Sequence, residues 1–275
     1  MDFAPPQFVE VGGRRLAYEE VAPGDADAPV VLLLCGIGAK RQGWYRQLPV
    51  LGQRLRAIAI DYRDVGDSDP AGAPYSIGDL AGDVEGLAAG LGIERASLVG
   101  ISMGGFIALE LTLRRSALVD RLVLVVTSAG GATHVSTSPE ILALLMPSAG
   151  VALEDGAGAR RVTTAVAAPG YARRAPAEID TFVEIALHNP MRVEAYLRQL
   201  EACRAHDVSA RLGEISAPTL VIHGDVDPLV PLANGEYLAA HIPGARLVVY
   251  EDTGHIPEVE RADEFNRDLV EFMSP

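Results

Sequence analysis

Gly100-Ile101-Ser102-Met103-Gly104-Gly105 stands between an apolar run, Ala96-Ser97-Leu98-Val99, and a helix-like segment, Phe106-Ile107-Ala108-Leu109-Glu110-Leu111. A Gly-x-Ser-x-Gly pattern in that setting reads as a sharp strand-to-helix turn that exposes its serine at the carboxyl end of a sheet, a nucleophile elbow. Glycine is needed on either side because a Cβ there would meet the neighbouring helix and strand. The N-terminus of the following helix favours negative charge developing nearby. An ordinary glycine-rich turn would satisfy the same short pattern, so the rest of the chain has to decide.

Outward from this turn, residues 30–34, 55–60, 122–126 and 219–222 are further short apolar runs rich in leucine and β-branched residues, separated by helix-length stretches. Continuous apolar runs of this length indicate strands buried on both faces, hence a parallel sheet covered by helices. The chain begins differently: two short alternating segments flank Gly12-Gly13 and predict an antiparallel hairpin. Residues 76–92 carry the helical period in Ile77, Leu80, Val84, Leu87 and Leu91, and Ser76 with Asp79 resembles a capping box. In the same stretch Gly78, Gly82, Gly86 and Gly90 recur every four residues, either for close packing or as unselected exposed positions. About ninety residues separate the runs ending at Val126 and starting at Thr219, too many for one crossover helix with ordinary loops. The expected fold is therefore α/β, a mostly parallel central sheet flanked by helices with an inserted helical cap. Residues 1–129 and 213–275 would form the core and 130–212 the cap, with helical patches at 140–145, 177–188 and 192–205.

Composition agrees with a globular chain. The 275 residues are 49% hydrophobic and 22% charged, which excludes a disordered or fibrous protein. A formal net charge of -14 repels phosphate backbones and anionic membranes, so nucleic acid is not an expected partner. The sequence shows neither a basic-then-apolar leader at its start nor a membrane-length apolar stretch, and a cytoplasmic protein with no membrane partner, monomeric or homodimeric, is expected. Cys35 and Cys203 are distant and outside any metal-ligand spacing; both are expected as free thiols, Cys35 buried at a strand end, with neither metal nor cofactor.

A serine hydroxyl is a poor nucleophile at neutral pH and needs a base held in the right tautomer by a third group. Of six histidines, His134, His188 and His206 fall in the presumed cap, His241 in a helix-like stretch and His223 at a strand end. His255 lies in the loop Asp252-Thr253-Gly254-His255-Ile256-Pro257 after the last strand, 246–250, and comes last in the chain order serine, aspartate, histidine. The orienting carboxylate should leave the preceding strand, where Asp225 and Asp227 compete in His223-Gly224-Asp225-Val226-Asp227-Pro228. Asp227 is favoured because the following proline biases it to an extended backbone. Asp225 is assigned to the turn, and His223 to local bonding.

With these residues in place the chain resembles the α/β-hydrolase superfamily over nearly its whole length, through the Ser102 elbow, the Gly-Asp-Val-Asp-Pro segment and the Gly-His segment. The resemblance implies catalytic Ser102, Asp227 and His255, with an oxyanion hole made by the backbone N–H groups of Ile37 and Met103. Two departures stand out. The usual His-Gly-x at the oxyanion loop reads Cys35-Gly36-Ile37-Gly38, which a backbone donor tolerates. The usual Asp-x-Arg-Gly-x-Gly-x-Ser reads Asp61-Tyr62-Arg63-Asp64-Val65-Gly66-Asp67-Ser68, with Asp64 in place of a glycine, a variant similar to that of some methylesterases of polyketide pathways. Asp61, Arg63 and Ser68 are expected to hold this loop rather than touch substrate.

The expected activity is hydrolysis of a small carboxylic ester through an acyl-enzyme. Serine at the elbow disfavours epoxide hydrolase and haloalkane dehalogenase chemistry, which uses aspartate there. Lactonase, C–C bond hydrolase, proline iminopeptidase, cofactor-free haloperoxidase and acyltransferase remain compatible, as does a non-catalytic binding protein that keeps the fold as a receptor pocket. Trp44, Phe106, Leu144, Leu145, Met146, Phe182 and Met191 are candidates for the apolar lining of the pocket.

Overall fold

The structure is a computed structural model and describes residues 3–25, 27–146 and 156–273. Its strands are β1 (Gln7–Val11), β2 (Arg14–Val21), β3 (Val30–Leu34), β4 (Arg56–Ile60), β5 (Ala96–Ile101), β6 (Val119–Val125), β7 (Thr219–Gly224) and β8 (Arg246–Tyr250). They form one eight-stranded sheet in the order β1-β2-β4-β3-β5-β6-β7-β8. From β4 to β8 every neighbouring pair is parallel, while β1 and β2 are joined antiparallel and β2 meets β4 antiparallel. The hairpin closes Val11 against Arg14, with Gly12 and Gly13 both at positive φ, the region glycine enters without a Cβ penalty.

The apolar runs behave as strands buried on both faces. Leu32, Leu33, Leu34, Leu98, Val99, Leu122 to Val125 and Leu220 to Ile222 have no solvent exposure. Helices α1 (Leu48–Leu51), α2 (Ile77–Gly90) and α3 (Met103–Arg114) cover this sheet: α1 packs on β2 and β4, α3 on β3, β5 and β6, and α2 on α3 and β1. Ser76 caps α2, accepting from the Asp79 N–H while the Asp79 carboxylate accepts from Ser76. The four glycines of α2 divide by surroundings. A Cβ on Gly86 or Gly90 would come within 2.3 or 2.4 Å of Val11 or Val9 of β1, whereas Gly82 has open space around it.

Between β6 and β7 lie α4 (Pro139–Leu145), α5 (Gly156–Val166), α6 (Tyr171–Arg174), α7 (Pro176–Leu187) and α8 (Val193–Ala205). The helical patches expected at 140–145, 177–188 and 192–205 correspond to α4, α7 and α8. α5 and α6 fall outside the patches expected from the sequence. The described residues end with α9 (Ala233–His241), which packs on β7 and β8, followed by α10 (Pro257–Glu260) and α11 (Ala262–Met273). Because β3, β5, β7 and β8 all run the same way, the loops leaving them emerge at one edge of the sheet. Among the described residues no helix is long and apolar enough to cross a membrane.

Candidate active site

Ser102 is where β5 stops and α3 begins. Its backbone sits at φ 53°, ψ -118°, a conformation that costs a non-glycine residue on the order of 1–3 kcal/mol and persists only where the surroundings hold it. They do: the Ser102 N–H donates to Val125 O at 2.9 Å, and Ser102 O accepts from Gly105 N at 2.8 Å and from Thr127 Oγ1 at 2.7 Å. The flanking glycines are sterically required. A Cβ on Gly100 would lie 2.3 Å from Gly104 O, one on Gly104 2.1 Å from Leu34 O, and one on Gly105 2.5 Å from the Thr127 side chain. Met103 is the first residue of α3, where a backbone N–H has no partner within the helix.

The loops after β7 and β8 bring Asp227 and His255 together. Asp227 is buried; its Oδ1 accepts from the N–H groups of Leu229 at 2.8 Å and Val230 at 2.9 Å, which leaves Oδ2 to accept from His255 Nδ1 at 2.8 Å. A carboxylate only accepts, so this bond keeps the proton on Nδ1 and leaves Nε2 as the basic nitrogen. Asp225 does not compete. Its side chain is exposed and, among the described residues, takes only the Thr253 N–H, at 3.4 Å. His223 Nε2 bonds Val230 O at 2.8 Å and lies 3.7 Å from Asp227. Burial lowers its pKa, holding it neutral beside the carboxylate.

Ser102, His255 and Ile37 line one cavity of about 250 Å³. Trp44, Leu144, Leu145, Met146, Phe182 and Met191 line it as well, so most of the apolar residues proposed from sequence meet here. Phe106 does not: it stacks on His206 with ring centroids 4.7 Å apart, turned away from the cavity by its place on α3. Burial lowers the pKa of that histidine to about 4.

The loop after β3, residues 35–40, is held from both sides. On the core side the Cys35 thiol donates to Lys40 O at 3.1 Å, and burial pushes that thiol well above its ordinary pKa. Arg41, fully buried, pairs with Asp61, whose carboxylate also accepts from the N–H groups of Arg41 and Asp67. Ser68 donates to Asp61 O and accepts from Ala17 N, so Asp61 and Ser68 hold their loop as expected. On the far side, the Gly38 N–H donates to Gln199 Oε1 of α8 at 2.8 Å, and the Tyr196 ring lies against Gly38. Lys40 Nζ donates to the carbonyls of Ile185 at 2.9 Å, Ala186 at 3.1 Å and His188, at the carboxyl end of α7. Asp64, at φ 70° where a glycine is usual, pairs in two bonds of 2.9 and 3.0 Å with Arg198 of α8. The His255 N–H donates to Val166 O at 2.8 Å, while Glu260 accepts from both Gly254 N and Ala168 N.

Gln199, Lys40, Tyr196 and Glu258 were not singled out in the sequence. Each meets the loops through contacts 145 or more residues apart, or lies in a short segment with no periodicity of its own, and no local signal marks them.

A family model described as alpha/beta hydrolase fold matches residues 29–262. The chain is 34% identical to a putative carbamate hydrolase RutD of Variovorax paradoxus over 94% of this chain and 96% of that one. It is 33% identical to a 2-hydroxy-6-oxo-6-phenylhexa-2,4-dienoate hydrolase of Comamonas testosteroni, over 93% and 90%. In structure it resembles the enol-lactonase of Burkholderia xenovorans, with a TM-score of 0.86 and 30% identity, covering 98% of this chain and all of that one.

Proposed function

The chain belongs to the α/β-hydrolase fold family, and from that premise we propose that it is a serine hydrolase acting on a small carboxylic ester. The observation that carries this reading is the 2.8 Å bond from His255 Nδ1 to the buried Asp227, with His255 and Ser102 on the wall of one apolar cavity. In the proposed reaction His255 Nε2 takes the Ser102 hydroxyl proton as Oγ attacks the ester carbonyl carbon. The oxyanion that forms accepts from the N–H groups of Ile37 and Met103, each bond stabilising the transition state by roughly 3 kcal/mol. Collapse breaks the ester C–O bond, and the imidazolium returns its proton to the leaving alcohol. Water, deprotonated by the same histidine, then releases the acid and frees Ser102.

Residues 130–212 act in this proposal as a cap, because α4, α5, α7 and α8 supply cavity walls that the sheet cannot. A lactone is the second substrate reading, favoured by the similarity to an enol-lactonase over the whole of both chains; it is an internal ester and needs no other groups.

The test is incubation with a fluorophosphonate followed by peptide mapping, together with p-nitrophenyl acetate turnover. Labelling at Ser102, a burst of p-nitrophenol equal to the enzyme concentration and loss of both in Ser102→Ala are expected. A folded protein with neither label nor turnover would instead be a non-catalytic small-molecule pocket.

A further inference from the structure

One residue that lines the cavity carries a carboxyl group that the proposed hydrolysis does not use. Glu258 lies three residues after His255, on α10, and is 7% exposed. Its backbone carbonyl accepts from Gln47 Nε2 at 2.8 Å, but its side-chain Oε2 is buried with no hydrogen-bond partner. A buried carboxyl with no cation beside it favours its neutral form, and burial raises Glu258 to about 8. At neutral pH it is therefore a carboxylic acid, able both to donate one hydrogen bond and to accept others.

The other charged residues in the wall are committed elsewhere. Three carbonyls take all three donor hydrogens of Lys40, and His255 is bound to Asp227. Among the described residues no arginine lines the cavity. A substrate carboxylate entering it would lose its water and meet no free cation, whereas an uncharged polar group of the same shape would pay far less.

From this chemistry we propose that Glu258 is a specificity-determining residue that takes an uncharged hydrogen-bonding group of the substrate, a hydroxyl, ketone or carboxamide. The same cavity selects against substrates with a free carboxylate. The inference rests on the hydrolase reading above and narrows it. It also separates this chain from relatives whose names specify a dienoate or dienedioate, substrates that carry a carboxylate.

Three p-nitrophenyl esters of similar chain length test it: the glutaramate, the hemiglutarate and the hexanoate. In the wild-type protein at pH 7, kcat/KM for the glutaramate should exceed that for the hemiglutarate by at least tenfold. Glu258→Leu should lower the glutaramate-to-hexanoate ratio of kcat/KM by at least tenfold, and Glu258→Gln, which keeps an uncharged donor and acceptor, should hold that ratio within about threefold. Equal or faster cleavage of the hemiglutarate by wild type overturns the proposal without any variant, and so does an unchanged ratio in Glu258→Leu. Absence of turnover on all three esters, with no fluorophosphonate label on Ser102, overturns the hydrolase reading instead and this inference with it.

Discussion

At the scale of single residues, the two aspartates after β7 show how burial assigns roles to chemically identical groups. Asp227 is enclosed and receives two backbone N–H groups on one oxygen and an imidazole on the other; Asp225, two residues earlier, is exposed. Asp227→Asn preserves shape but presents an amide that can donate to Nδ1, turning the histidine to the tautomer whose Nε2 is already protonated. Its kcat for p-nitrophenyl acetate should fall about 10⁴-fold, while Asp225→Asn, a surface change, should stay within about threefold. Equal losses in the two variants would remove Asp227 from the proposed triad. The proline after Asp227 was the local signal that separated them. For Phe106 there was none: an aromatic one turn into α3 follows the elbow serine closely in sequence, yet the helix carries it to the side that faces His206.

Secondary elements act here as clamps on loops. α8 touches the loop after β3 through Tyr196 and Gln199, three residues apart and hence on one helical face. Gln199 is fully buried, and by taking the Gly38 N–H it fixes the peptide orientation next to Ile37, whose own N–H is the proposed oxyanion donor. Gln199→Ala should therefore lower kcat about tenfold or more with KM changed by no more than about threefold, since small misplacements of oriented groups act on the transition state. Steady-state kinetics on p-nitrophenyl acetate checks this, and an unchanged kcat in a folded variant would make Gln199 merely structural. α5 illustrates the converse of a legible element. Its sequence, Gly-Ala-Gly-Ala-Arg-Arg-Val-Thr-Thr-Ala-Val, is rich in glycine and β-branched residues of low helix propensity, and the helix packs extensively against α7, a contact no linear pattern announces.

Over the whole molecule, the segment between β6 and β7 is tied to the sheet at separate places: Lys40 to the end of α7, Tyr45 and Arg46 to Glu178, Asp64 to Arg198, and Glu260 to Ala168. Of these, Lys40 lines the cavity together with the buried Glu258, so the site's chemistry feeds into global stability. Glu258 titrates near its ordinary 4.5 when unfolded and at about 8 when folded. Between those values the unfolded chain releases a proton that the folded protein keeps, so this residue makes stability fall as pH rises, with the loss complete above about 8. Glu258→Gln cannot titrate; its stability relative to wild type should grow by on the order of 3 kcal/mol from pH 5 to pH 8 and then level off. Urea denaturation at pH 5, 7 and 8.5 measures this, and a constant difference would show that Glu258 is already ionised when folded. What the sequence determined by itself was the sheet and the turn at Ser102, and it put forward Asp227 and His255, because strand periodicity, turn glycines and chain order are local or ordered signals. The tertiary structure alone decided that α5 and Tyr196 of α8 complete the cavity wall, that Gln199 and Lys40 clamp the loop after β3, and that Glu258 Oε2 is buried without a partner. Those properties come from burial and from contacts across more than a hundred residues, and burial is a property of the packed chain rather than of any stretch of it.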